Sequence, residues 1–316
     1  MPLHPQARAF LDEFAASGVP MPWEVATPAE ARAVLAGLQV PPEQPIEVAR
    51  VEERLLELPD ARIAARIFVP DGEPPFPVVL WFHGGGWVVG SLDESDTTCR
   101  SLCRRSGAIV VCPDYRMAPE HPFPAAAEDC YATACWIAEH GAEIGADPTR
   151  IAVAGDSAGG NLAAVTALMA RDRGTPELRF QLLVYPVVGL PSDGRQSYED
   201  FADGYFLTRG GMEWFTDQYA GSPQDLASPY LAPLQADDLS GLPPALVITA
   251  EYDPLCDEGE AYAERLRESG VDCTLTRYES QIHAFFVLTD VFDAAFEAHD
   301  EAAAALRSAL AAGAAS

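Results

Sequence analysis

Gly155-Asp156-Ser157-Ala158-Gly159 lies between Arg150-Ile-Ala-Val-Ala, an apolar run of strand type, and Gly160-Asn-Leu-Ala-Ala-Val-Thr-Ala-Leu-Met-Ala, a stretch of helical composition and length. Strand, sharp turn and helix in that order are the setting of a G-x-S-x-G nucleophile elbow. Small flanking residues let strand and helix approach, and the strained turn lifts the serine hydroxyl off the sheet. Ser157 is then the candidate nucleophile. The five-residue pattern alone is common in loops, so its partners must be found elsewhere.

Outward from the elbow, short apolar segments alternate with helical ones. Strands are expected at 78–82, 108–112, 151–154, 181–185, 245–250 and 273–278, and helices at 125–140, 160–171 and 258–268. This alternation predicts a doubly wound, mostly parallel α/β sheet, whose sites form beyond the carboxyl ends of its strands. Upstream, 46–58 and 61–69 read as a hairpin broken at Pro59-Asp60, and 6–16 and 28–38 read as helices, the second opened by Thr27-Pro-Ala-Glu.

Two further motifs stand at carboxyl ends. His83-Gly84-Gly85-Gly86-Trp87 follows the strand 78–82, and three successive glycines can present bare amide N–H groups to an anion. A P-loop would need Gly-Lys, which this lysine-free chain lacks, and a dinucleotide fingerprint would open a helix, which Trp87-Val-Val-Gly-Ser does not. An oxyanion-binding loop is the better reading.

Among the six histidines only His283 stands just beyond a late strand. Asp253 follows the strand 245–250, thirty residues before His283, a separation that holds one helix and one strand. One right-handed crossover then brings Asp253 and His283 to neighbouring strand ends. There a carboxylate can orient an imidazole that takes the Ser157 proton. Asp257 is the competing acid, but it stands where a helix begins, and capping accounts for it. Asp156 is too close to Ser157 along the chain to reach the histidine, and a structural role in the elbow is expected.

The 316 residues, 48% of them hydrophobic, can bury one large α/β core. There are 48 acidic residues against 20 basic ones, all arginine, for a net charge of −28. Such a surface repels phosphate backbones and anionic membranes, so neither nucleic acid nor membrane is an expected partner. Seven cysteines without a C-x-x-C pair or a zinc-like histidine read as buried thiols of a reducing compartment, with no structural metal. No signal-type segment opens the chain and no apolar run approaches bilayer length, so a cytoplasmic protein is expected.

The order Ser157, Asp253, His283, the His-Gly-Gly-Gly-Trp loop, the Gly-Asp-Ser-Ala-Gly-Gly elbow and Asp114-Tyr-Arg-Met-Ala-Pro-Glu-His-Pro-Phe-Pro-Ala together resemble the bacterial hormone-sensitive-lipase-like (family IV) esterases of the α/β-hydrolase fold. The resemblance spans nearly the whole chain. It implies a mostly parallel eight-stranded sheet flanked by helices, and a serine carboxylic-ester hydrolase without cofactor, acting on a small-molecule ester. It also implies that Gly85, Gly86 and Ala158 donate the oxyanion hydrogen bonds.

A helical cap is implied as well, from residues 1–45 and an insertion at 189–222, leaving 46–188 and 223–316 as the catalytic core. A closed cap favours short to medium acyl chains. The insertion carries Tyr198, Phe201, Tyr205, Phe206, Trp214, Phe215 and Tyr219, which either line an acyl pocket or pack the cap. Family members often pair as homodimers through a sheet edge, for which 273–278 is the candidate here. One departure is Ala284, where the family more often has glycine. Two alternatives stay open: amide hydrolysis on the same scaffold, and a non-catalytic small-molecule receptor. Plant gibberellin receptors resemble the same family but lack the histidine that is present here as His283.

Overall fold

Every residue of Ile109–Pro113 and of Phe180–Val184 is buried, and a strand with no solvent face needs helices on both sides. The computed structural model, which describes residues 2–38 and 44–313, supplies them. Its eight strands are β1 (Arg50–Glu57), β2 (Arg62–Val69), β3 (Phe76–Phe82), β4 (Ile109–Pro113), β5 (Ala146–Asp156), β6 (Phe180–Val184), β7 (Ala245–Tyr252) and β8 (Cys273–Ile282). They form one sheet in the order β1-β2-β4-β3-β5-β6-β7-β8. The hairpin β1–β2 is antiparallel and joins β4 antiparallel, while β3 to β8 all run parallel.

The described helices of α type are α1 (Pro5–Ser17), α2 (Pro28–Leu38), α3 (Asp96–Ser106), α4 (Ala125–His140), α5 (Ala158–Arg173), α6 (Gln196–Asp200), α7 (Arg209–Tyr219), α8 (Cys256–Glu268) and α9 (Asp293–Ala309). Side chains alternate along the strands. Val78, Leu80 and Phe82 join Ile137 of α4, Leu162 of α5 and Tyr262 of α8 in one apolar cluster. Val79 and Trp81 join Leu102 of α3 and Leu306 of α9 in the other. This is the doubly wound α/β architecture expected, with both faces of the sheet covered.

The structure departs most from expectation at β5 and α3, beside smaller shifts such as β1 starting at Arg50 and β8 running on to Ile282. β5 begins at Ala146, because Phe76 pairs with Ala146 before the register shifts between Phe76 and Val78. The polar residues Asp147-Pro-Thr-Arg give no apolar signal for that extension. Helix α3 was not expected either: Asp-Thr-Thr-Cys-Arg-Ser-Leu-Cys-Arg-Arg-Ser is poor in strong helix formers, and burial of Cys99, Leu102 and Cys103 against the sheet favours the helix instead.

The segment after β6 leans on the N-terminal helices through aromatic rings. Phe206 meets Phe10 and Phe14 of α1 at centroid distances of 5.4 and 5.6 Å, and Phe215 of α7 meets Trp23 at 5.8 Å. Residues 1, 39–43 and 314–316, which fall in the expected 1–45 and 223–316 segments, lie outside the described residues. All seven cysteines are unpaired thiols. Among the described residues no helix is long and apolar enough to cross a membrane.

Candidate active site

β5 ends at Asp156 and α5 begins at Ala158, which leaves Ser157 alone in the turn at φ 56°, ψ −118°. A non-glycine residue there costs on the order of 1–3 kcal/mol and persists only when its surroundings over-determine it. They do. The Ser157 N–H donates to Val184 O at 2.9 Å, and its carbonyl accepts from the N–H groups of Asn161 and Val187 at 3.0 and 3.2 Å. The Asn161 side-chain amide binds the carbonyls of Val187 and Leu231, each at 2.8 Å. The flanking glycines are steric requirements: a Cβ on Gly155 would stand 2.3 Å from Gly159 O, and one on Gly159 only 1.9 Å from Phe82 O.

Adjacent parallel strands β7 and β8 bring their carboxyl ends to the same rim. Asp253 follows β7 and His283 follows β8. The His283 Nδ1–H donates to Asp253 Oδ2 at 2.7 Å, and its Nε2 accepts from Ser157 Oγ at 3.0 Å. The second Asp253 oxygen accepts the Leu255 N–H at 2.9 Å. Ser157, His283 and Asp253 are 7%, 6% and 0% exposed, so the relay is screened from bulk water while the serine keeps some access. The ring of Tyr185 lies 4.6 Å from that of His283 and walls its other side.

The glycine loop follows β3, the strand next to β5. Gly85, Gly86 and Trp87 all have left-handed φ, at 109°, 59° and 60°. The Gly85 carbonyl accepts from Val88 and Val89 N–H at 3.1 and 2.9 Å, which closes a tight turn. Among the described residues, no hydrogen bond occupies the N–H of Gly85, Gly86 or Ala158. The Gly84 N–H donates to Asp156 Oδ1 at 3.0 Å, tying this loop to the elbow. Asp156 therefore has a structural contact and none with the histidine relay by hydrogen bond. Burial pushes its carboxyl up to about 7, against the opposing pull of His283 and the Gly84 bond.

The remaining expected residues fall elsewhere. His83 turns its Nδ1 to Gly84 O at 2.7 Å and stacks on Tyr115, whose hydroxyl donates to His83 O at 2.8 Å. Burial lowers the His83 pKa, so its ring is neutral scaffolding. Asp257 lies in the first turn of α8 and accepts the Ser197 N–H at 2.9 Å, so it anchors the start of α6. Of the insertion aromatics, Tyr219 stacks on Trp87 at 4.3 Å, and Phe215 lies against Gly86, where an added Cβ would stand 2.2 Å from the ring. Tyr205 stacks on Tyr252 at 5.2 Å.

Sequence reasoning gave no individual role to Tyr115, Asn161 or Arg32, whose side chains bind the carbonyls of His83, Val187 and Val88, all distant along the chain. A groove of about 920 Å³ lined by Arg171, Phe180, Pro243 and Thr274 lies at the opposite, amino end of β6 to β8 and shares no residue with this constellation. Among the described residues no cluster of metal-ligating side chains occurs.

A family profile described as the alpha/beta hydrolase fold matches residues 79–287. The chain is 43% identical over 286 residues to the carboxylesterase NlhH of Mycobacterium tuberculosis, covering 89% of each chain. It is 37% identical over 239 residues to an ethyl acetate hydrolase of Pseudomonas putida, covering 74% of this chain and 75% of that one. The crystal structure of a thermostable esterase from Pseudomonas putida superposes with a TM-score of 0.93 at 42% identity over 98% of both chains. With that likeness, and with a serine, an imidazole and a carboxylate in relay above the sheet, the chain belongs to the alpha/beta hydrolase fold family as a serine carboxylesterase of its hormone-sensitive-lipase-like branch.

Proposed function

We propose that Ser157 is the nucleophile, His283 the general base and acid, Asp253 the orienting carboxylate, and the N–H groups of Gly85, Gly86 and Ala158 the oxyanion donors. The observation that carries this reading is the relay Ser157 Oγ to His283 Nε2 at 3.0 Å and His283 Nδ1 to Asp253 Oδ2 at 2.7 Å. Nε2 takes the hydroxyl proton as Oγ bonds to the ester carbonyl carbon, and the carbonyl π electrons move onto oxygen, where the three N–H groups receive them. The tetrahedral centre collapses, the C–O bond to the alcohol breaks, and the imidazolium returns its proton to the leaving oxygen. Water then repeats the two steps on the acyl-enzyme. Asp253 keeps Nδ1 protonated and stabilises the imidazolium in both.

We assign the cap over this site to segments 1–45 and 189–222, of which residues 1 and 39–43 lie outside the described residues, and short to medium acyl esters are its substrates. Phe215 against Gly86, braced by Trp23, supports a short acyl slot, and ethyl acetate hydrolysis by a relative is in keeping with it. A series of p-nitrophenyl esters from acetate to palmitate should lose kcat/KM beyond octanoate; a steady rise to palmitate would refute the slot. The free edge of β8 is the proposed homodimer surface, checked by light scattering after gel filtration. Unpaired thiols accord with a cytoplasmic setting.

The deciding experiment is Ser157→Ala. Hydrolysis of p-nitrophenyl butyrate should fall on the order of a thousandfold or more with an unchanged circular dichroism spectrum. Retained turnover would move the nucleophile elsewhere.

A further inference from the structure

Three successive left-handed residues make a loop without a ladder of regular hydrogen bonds, and its glycines leave it conformationally free unless something outside holds it. One side chain of the N-terminal segment does so. Arg32 of α2 donates from Nε to Val88 O at 2.7 Å and from Nη2 to Ala118 O at 2.7 Å. The same guanidinium forks onto Glu120, Nη1 to Oε1 at 2.8 Å and Nη2 to Oε2 at 2.7 Å. Pairing with Arg32 draws the Glu120 carboxyl down to about 2, so the fork keeps its charges into acid.

The two carbonyls it grips belong to segments that already grip each other, since the Ala118 N–H donates to Trp87 O at 2.9 Å. Val88 in turn donates to Gly85 O. A short bonded path therefore runs from α2 through Val88 to the backbone of the oxyanion glycines.

We infer that Arg32 is a positioning residue for the oxyanion loop, so that seating of the N-terminal segment sets the aim of the Gly85 and Gly86 amides. The inference rests on the oxyanion reading of those two glycines. A planar fork suits two carbonyls and a carboxylate at once, whereas lysine, a single point charge, can satisfy only part of the set. A loop that drifts by a fraction of an ångström still binds the ester but meets the tetrahedral oxygen poorly, so the loss falls on kcat rather than on KM.

The test compares Arg32→Ala, Arg32→Lys and Gly86→Ala with the parent enzyme, with exposed Arg62→Ala as control. The readouts are kcat and KM on p-nitrophenyl butyrate, affinity for an alkyl trifluoromethyl ketone against that for the matched secondary alcohol, and melting temperature. Arg32→Ala should lose roughly tenfold to a hundredfold in kcat with KM within about twofold. Ketone affinity should weaken by a similar factor while alcohol affinity holds. Arg32→Lys should lose less, and millimolar guanidinium should restore part of the Arg32→Ala rate. If Gly86→Ala loses kcat while Arg32→Ala keeps both kcat and ketone affinity, the clamp is refuted and the oxyanion reading stands. If the Arg32→Ala loss merely follows its unfolded fraction, the clamp is likewise refuted. A parent enzyme that binds the ketone no more tightly than the matched alcohol would overturn the oxyanion reading and the clamp with it.

Discussion

The two flanks of Ser157 are built by different means. On the β3 side the groups proposed to react are main-chain amides, and shape confines them: a Cβ on Gly85 would stand 2.1 Å from Val89 O, and one on Gly84 2.4 Å from Asp156 Oδ2. On the β7 and β8 side the groups proposed to react are side chains, and hydrogen bonds hold them: Asp253 to His283 and to Leu255, His283 to Ser157. Shape tolerates no substituent, so a change on that flank disturbs the fold along with the rate. Hydrogen bonds can be removed one at a time, so a change on the other flank costs rate while the fold is kept.

Substitutions on the two flanks can break this contrast. The largest effect is expected from Asp253→Asn, which preserves volume but favours the wrong imidazole tautomer; kcat should fall on the order of ten-thousandfold with the melting temperature little changed. Should Asp257→Ala lose as much and Asp253→Asn little, the acid has been misassigned. Next comes Gly86→Ala on the other flank. Its methyl meets the Phe215 ring at 2.2 Å and its φ of 59° is strained for alanine, so roughly a hundredfold loss in kcat should come with a lower melting temperature. A variant with an unchanged melting temperature and a selective rate loss would show that the glycine flank too can lose rate without losing fold.

Smaller effects belong to acidity. Burial holds the carboxyls of Asp156 and Glu258 at about 7, above their ordinary values of 3.8 and 4.5, so between about 4 and 7 the native state keeps protons that the unfolded chain releases. Their contribution to stability is therefore full below about 4 and is lost as the pH rises toward 7. His299 has the opposite sign: burial holds it down at about 4 from 6.5, so its contribution is full above about 6.5 and is lost as the pH falls through that window. Two carboxyls set against one imidazole predict that Asp156→Asn raises the melting temperature more at pH 8 than at pH 5. Equal shifts at both would remove Asp156 from the account. Least of all, Arg62→Ala breaks an exposed pair with Glu57 and should leave kcat and stability within about 0.5 kcal/mol of the parent.

Legibility followed the range of the interactions. The parallel strands and the helices α4, α5 and α8 each carry their own apolar pattern, whereas α3 was invisible because its residues become helical only against a sheet that the local string does not contain. Asp253 and His283 could be placed on neighbouring strand ends because one crossover has a fixed hand, which turns thirty residues of chain into a spatial relation. No comparable rule relates Arg32 to Val88 or Ala118, 56 and 86 residues away. Nor did the aromatic insertion disclose that Phe215 would lie on Gly86 and Tyr219 on Trp87.

By itself, then, the order of residues determined the α/β alternation, the elbow, the glycine loop and the short set of candidate groups for acyl transfer, because each is written in neighbouring residues or in one handed connection. Only the folded chain decided how those groups are aimed: which amides are left bare, which carboxyl is pushed up toward neutrality, and which distant arginine braces the loop. Those outcomes depend on desolvation and on contacts across the sheet, and such quantities exist only once the core has closed.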